Sequence, residues 1–314
     1  MSRCLHACVA LSFAIGCGTS PTVIPDDAYV LPNDAADAYV PPTDVGPDGG
    51  LGSLIIGGAR PAHLVAPEHP TTEPAPLLVL LHGYGATGAV QDAYLGVTSA
   101  AGSRNLWVIL PDGTVDASSM RFWNAPGCCD FAHTGVDDIA YLMGLVHEAI
   151  AARPIDPHRV YFFGHSNGAF MSYNLACHAA DEIAAIAVLA GSDATDTTDC
   201  TPSMPVSVLH LHGTADTTIA YAGGDVGLGA FPGAVAITQH WAMRGGCSAT
   251  PTMGAAVDLE RLLPGAETTP TIYGGCMAGI DVRLDTIAGG SHIPSFNADV
   301  IGPEVLDWLL MHHR

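Results

Sequence analysis

The chain has 314 residues, 48% of them hydrophobic, which is ample for a buried core and excludes a wholly disordered protein. It carries 31 acidic against 10 basic residues, a formal charge of −21, and every basic residue is an arginine. The absence of lysine excludes P-loop and Schiff-base chemistry, and the lack of a basic face excludes nucleic acid as an expected partner.

Met1-Ser2-Arg3 followed by the apolar run Leu5 to Gly16 is too short to span a bilayer and has the length of a signal-peptide core. Residues 1–16 are therefore expected to be an export signal. Ala14-Ile15-Gly16-Cys17 resembles a bacterial lipobox, so Cys17 is the expected lipidation site, and Gly18 after it points to outer-membrane sorting. Any membrane contact would run through that anchor. Residues 17–50 hold six Pro and six Asp, with no Lys or Arg. Pro spacing and like charge make this stretch an extended tether.

Residues 51–314 are expected to form one catalytic domain. Five apolar runs close on turns containing glycine: Leu77–Leu81, Leu106–Leu110, Val160–Phe163, Ile183–Leu189 and Val206–Leu211. Such runs are expected of strands buried on both faces. Between them, Leu142, Leu145, Val146, Ala149 and Ile150 form a helical stripe behind Asp137 and Asp138. A final helix is expected to begin near Pro303. The alternation implies an α/β fold, a mostly parallel doubly wound sheet with helices on both faces.

Gly164-His165-Ser166-Asn167-Gly168 follows an apolar strand and opens a helical stretch, the context of a nucleophile elbow. A nucleophilic serine needs a base and an acid that orients the base. In the α/β-hydrolase order these follow the serine, and Asp216 in His212-Gly213-Thr214-Ala215-Asp216 and His292 in Gly289-Gly290-Ser291-His292 occupy the two places. The backbone amides of Tyr84, after the Leu77–Leu81 strand, and of Asn167 are the expected oxyanion donors. Of the other histidines, His82 and His165 flank these turns and are expected to hydrogen-bond the loops around them. His210 lies within a strand, and His312 and His313 lie at the chain end, so core packing or solvent is their expected setting.

Six cysteines lie beyond residue 50: Cys128, Cys129, Cys177, Cys200, Cys247 and Cys276. An even number in an exported chain suggests disulfides. Cys247 and Cys276 bracket a Pro- and Gly-containing excursion and are expected to pair, whereas Cys177 could join Cys200, Cys128 or Cys129. A metal set of Cys128, Cys129 and His133 lacks a second ligand pair, and neither a metal nor a cofactor is implied.

With these motifs in one order, residues 53–312 resemble the PHB-depolymerase-type esterase family, related to feruloyl and acetyl-xylan esterases of carbohydrate esterase family 1. The resemblance runs through Pro76 to Gly85, Arg121-Phe122-Trp123-Asn124, Cys128-Cys129-Asp130, Val136-Asp137-Asp138, Asp156 to Tyr161, the Ser166 turn, His212 to Asp216, Cys247, Cys276 and Gly289 to His292. It implies an α/β-hydrolase fold and a Ser166–His292–Asp216 triad acting on an ester substrate. The substrates the resemblance implies are a polysaccharide side chain, an oligoester or a small molecule. The chain departs from the family at Ser291, where a third glycine is usual, and at Ile293 to Phe296, where a tryptophan is usual. An aromatic platform for the substrate is accordingly expected from Trp123 or Phe296, with His165 beside it. No separate polymer-binding domain is expected after residue 314, so soluble or loosely packed esters are the expected substrates. The competing readings are a serine peptidase of the same fold and a lipid-anchored binding protein with a relic site.

Overall fold

Branched and aliphatic runs with no polar face can satisfy their backbone groups only inside a sheet covered on both sides. The computed structural model, which describes residues 51–194 and 200–314, builds such a sheet. The signal, Cys17 and the Pro/Asp-rich stretch lie outside the described residues.

In chain order, a hairpin of β1 (Leu54–Ile56) and β2 (Ala62–Val65) leads into β3 (Ala75–Leu81), α1 (Gly88–Leu95), α2 (Val97–Gly102) and β4 (Trp107–Leu110). A small hairpin follows, β5 (Thr114–Val115) with β6 (Arg121–Phe122), and then α3 (Asp138–Ala152), β7 (Ile155–His165), α4 (Asn167–His178), β8 (Ala185–Leu189) and β9 (Ser207–Gly213). The chain continues through β10 (Gly223–Asp225), β11 (Ala230–Pro232), α5 (Ala234–Arg244), β12 (Thr252–Met253), β13 (Thr268–Tyr273), β14 (Val282–Ile287) and α6 (Ala298–Leu309).

The main sheet has ten strands in the order β1-β2-β4-β3-β7-β8-β9-β14-β13-β12. The six from β4 to β14 are parallel, and antiparallel strands extend both rims. Alternation along β3 sorts the core into two layers. Leu77, Val79 and Leu81 join Leu142, Val146, Phe170, Ile237 and Trp241 from α3, α4 and α5. Leu78 and Leu80 face the other way, with Leu95, Val97, Ile301 and Leu306 from α1, α2 and α6. Among the described residues no helix is long and apolar enough to cross a membrane.

The last helix starts five residues before the expected Pro303. Asn297 caps it by accepting from the Asp299 amide, and Pro303 lies inside it, so the cap rather than the proline sets the start. Asp137 caps α3 in the same way, accepting from the Ala140 amide. Asp138 turns inward instead, where it pairs with Arg60 at 2.6 Å and accepts from the Asn124 amide.

The structure joins Cys247 to Cys276, Cys177 to Cys200 and Cys128 to Cys129. Of the partners left open for Cys177, Cys200 is the one used. The sulfurs of the Cys128, Cys129 and His133 set are bonded to each other.

Candidate active site

Ser166 sits between β7 and α4 at φ 53° and ψ −118°, a conformation that costs a non-glycine residue about 1–3 kcal/mol and holds its side chain out of the turn. The turn is closed so tightly that a Cβ on Gly164 would lie 2.0 Å from the Gly168 carbonyl oxygen. The Ser166 amide donates to the Leu189 carbonyl and anchors the turn to β8.

Asp216 and His292 follow two neighbouring parallel strands, β9 and β14. Their loops are tied together where the Ala215 amide donates to Gly290 O and the Gly289 amide to Thr214 Oγ1. His292 Nε2 lies 2.9 Å from Ser166 Oγ and His292 Nδ1 lies 2.8 Å from Asp216 Oδ2. With a carboxylate facing Nδ1, that nitrogen carries the proton, and the serine hydroxyl donates to a bare Nε2. Asp216 Oδ1 accepts from the Thr218 and Ile219 amides, each at 2.8 Å. Burial would push the Asp216 carboxyl up, but donors on His212 and His292 outweigh it and hold the group well below the usual carboxylate range. The carboxylate is thus ionised beside His292.

His165 Nε2 donates to the His292 carbonyl at 3.1 Å. Burial pushes His165 down to about 3, so it is a neutral support for the His292 loop. Tyr94 of α1 backs the same loop, donating to Pro294 O. His82 donates from Nδ1 to Gly83 O and accepts at Nε2 from the Gly113 amide. Burial lowers it to about 4. Both histidines hold the loops; His165, expected also beside the substrate platform, is buried and turned to the His292 carbonyl instead.

Asn167 follows the serine directly, and the Gly83 turn that carries Tyr84 lies against it, where a Cβ on Gly83 would be 3.4 Å from Ser166 Cβ. Among the described residues neither the Tyr84 nor the Asn167 amide donates to a protein acceptor. Gln91 of α1 accepts from the preceding Gly83 amide and steadies that turn.

Trp123 does not offer the expected platform. It is 0% exposed, its indole N–H donates to His82 O, and its backbone exchanges two hydrogen bonds with the Asn167 side chain. It is a strut between the two amide-bearing turns, with no face left for a ligand. Phe296, 5% exposed, packs against Tyr94 at 6.1 Å and is likewise closed. Phe131, by contrast, is an open ring, 51% exposed and edge-on to Tyr84 at 5.7 Å. It lies two residues past a Cys pair, and nothing in its local sequence marked it.

His210, expected in a strand, and His212 pack one behind the other next to Asp216. Both are buried behind Asp216. Their alternate spacing on β9 puts them on one face, a signal present in the sequence. His312 is buried against Trp308 at the chain end, whereas His313 is exposed.

The strand order and the helices on both faces define a member of the α/β-hydrolase superfamily. Residues 63–226 match the family described as Phospholipase/Carboxylesterase, and the chain belongs to that family. It is 30% identical over 226 residues to feruloyl esterase B of Piromyces equi, covering 69% of this chain and 39% of the relative. It is 31% identical over 181 residues to poly(3-hydroxyalkanoate) depolymerase C of Paucimonas lemoignei, covering 56% and 42%. The chain thus spans about two fifths of the length of these curated relatives. The fold is shared with an acetyl xylan esterase from Aspergillus awamori, at a TM-score of 0.61 and 15% identity over 82% of this chain and 99% of that one.

Proposed function

We propose that the protein is an exported serine hydrolase of carboxylic esters. Its substrates would be feruloyl or acetyl esters of polysaccharides or short hydroxyalkanoate esters. The observation that carries this reading is the unbroken line from Ser166 Oγ through both nitrogens of His292 to Asp216 Oδ2, beside two amides with no protein acceptor. Ser166 attacks the ester carbonyl and forms the C–O bond of a tetrahedral intermediate as His292 Nε2 takes the hydroxyl proton. Asp216 stabilises the imidazolium. The Tyr84 and Asn167 amides hold the oxyanion. Collapse breaks the bond to the alcohol, which leaves with the proton from His292. Water, deprotonated by the same nitrogen, then releases the acid from Ser166. The named activities of the curated relatives support an ester as substrate. Three disulfides support an oxidising compartment, in keeping with export, and acylation of Cys17 is the proposed anchor.

The test is the unequal cost of removing each member, with a p-nitrophenyl ester as substrate and circular dichroism as the folding control. Ser166→Ala and His292→Ala should each lower kcat about 10⁴–10⁶-fold, and Asp216→Asn roughly 10³–10⁴-fold, with KM little changed. The double variant Ser166→Ala/His292→Ala should be barely worse than either single one. A folded His292→Ala that keeps more than a few per cent of activity places the base elsewhere. Failure of a fluorophosphonate to label Ser166 would favour a relic site, and faster cleavage of amides than of matched esters a peptidase.

A further inference from the structure

We propose that Tyr173, His210 and His212 form a one-way chain of hydrogen-bond donors that makes His212 a positioning residue for Asp216. This inference rests on the role given to Asp216 above.

The direction of the chain follows from what each nitrogen faces. His212 Nε2 lies 2.7 Å from the Ile219 carbonyl oxygen and 3.2 Å from Asp216 Oδ2. Both are acceptors, so this nitrogen carries a proton, and in the neutral ring Nδ1 is bare. His210 Nε2, 3.0 Å from that bare nitrogen, must donate to it, which leaves His210 Nδ1 bare in turn. That last nitrogen lies 2.7 Å from the Tyr173 hydroxyl, which has a proton to give. The opposite set of tautomers would point a lone pair of His212 at a carbonyl and a carboxylate together. Tyr173, His210 and His212 are at most 1% exposed, so water does not compete for these bonds. The two imidazoles stack at 5.3 Å with 12° between their planes, and the Tyr221 ring stands edge-on to His212, so the His212 ring has little freedom to rotate.

Asp216 thereby receives donors on both oxygens from outside the reacting pair. Backbone amides fix Oδ1, and His212 occupies a second lone pair on Oδ2, the oxygen that meets His292 Nδ1. An anion held in this way cannot swing when His292 becomes charged during turnover. No proton passes along the chain: His210 and Tyr173 set the orientation of one N–H bond and His212 delivers it.

The test compares His212→Leu, His212→Gln and Tyr173→Phe by kcat and KM for p-nitrophenyl acetate and by the low-field proton resonance of His292 Nδ1–H. His212→Leu should lower kcat roughly 10- to 100-fold, leave KM within about twofold, and displace the resonance. His212→Gln, whose amide donates from a similar reach, should recover most of the rate. Tyr173→Phe, which keeps the ring and removes only the hydroxyl, should lower kcat by about threefold and displace the resonance in the same direction. A folded His212→Leu with unchanged kcat and an unmoved resonance overturns the proposal. If that variant does not fold, Tyr173→Phe with unchanged kcat and an unmoved resonance overturns it equally. A fully active Ser166→Ala in the same assay would instead sink the triad reading itself.

Discussion

A tryptophan and a phenylalanine near one site have opposite uses here. Trp123 has every polar group matched inside the protein, where it bonds to His82 O and to the Asn167 side chain and so braces the turns before Tyr84 and after Ser166. Phe131 has half its surface in water beside the Tyr84 ring. Its exposed face suits an aromatic or extended acyl group entering past Tyr84, and such a ring pair contributes about 1 kcal/mol. Phe131→Ala should therefore raise KM for methyl ferulate about fivefold and leave KM for p-nitrophenyl acetate nearly unchanged. Steady-state kinetics on the two esters checks this, and equal effects on both would remove Phe131 from the substrate path. The meeting of Ser166, Asp216 and His292 was legible in the sequence because Ser166 and Asp216 sit in short turns just after apolar runs and His292 follows a glycine pair in the order the motif requires. Trp123 and Phe296 were misread because residue type says nothing about which face a neighbour has covered. The link from His210 to Tyr173 was invisible for another reason: the partner comes from α4, and only packing brings it there.

Among the elements, every apolar run that was read as a strand is one, because strands covered on both faces leave a continuous signal. The rims of the sheet were silent. β1, β2 and β12 have two to four residues each, and β13 reads Thr-Thr-Pro-Thr before its two apolar residues Ile272 and Tyr273, so none carries a long apolar run. The Cys247–Cys276 bond closes the segment that holds β12 and β13, alongside backbone bonds from Cys247 N to Ala242 O and from Met277 N to Gly245 O. A closed loop of this length contributes roughly 3–4 kcal/mol in the chain-entropy model. The double variant Cys247→Ser/Cys276→Ser should lose about that much in urea unfolding. Its kcat should be retained, since no group of the site lies in the loop. A loss of activity without loss of stability would contradict this assignment.

For the molecule as a whole, the buried histidines make acid the vulnerable direction. His82 and His165 have folded pKa values of about 4 and about 3, below their unfolded value. Each binds fewer protons folded than unfolded, so its contribution is complete above about pH 6.5 and is lost as the pH falls towards those folded values. Protonation of His82 also removes the acceptor for the Gly113 amide. Between pH 7.5 and 5.5 the loss is about 1.4 kcal/mol per histidine, near 3 for the two. Urea midpoints at these pH values should differ accordingly, and coincident midpoints would refute the assignment. The two rims of the main sheet have a consequence for crowding. Each ends in a strand of two or three residues, β12 and β1, so there are few free N–H and C=O groups on which a neighbouring copy could build. The long, apolar strands that would seed intermolecular pairing are all interior. Molecules packed side by side at high density therefore meet through acidic surface rather than open sheet, and the rim strands act as the fold's guard against fibre growth.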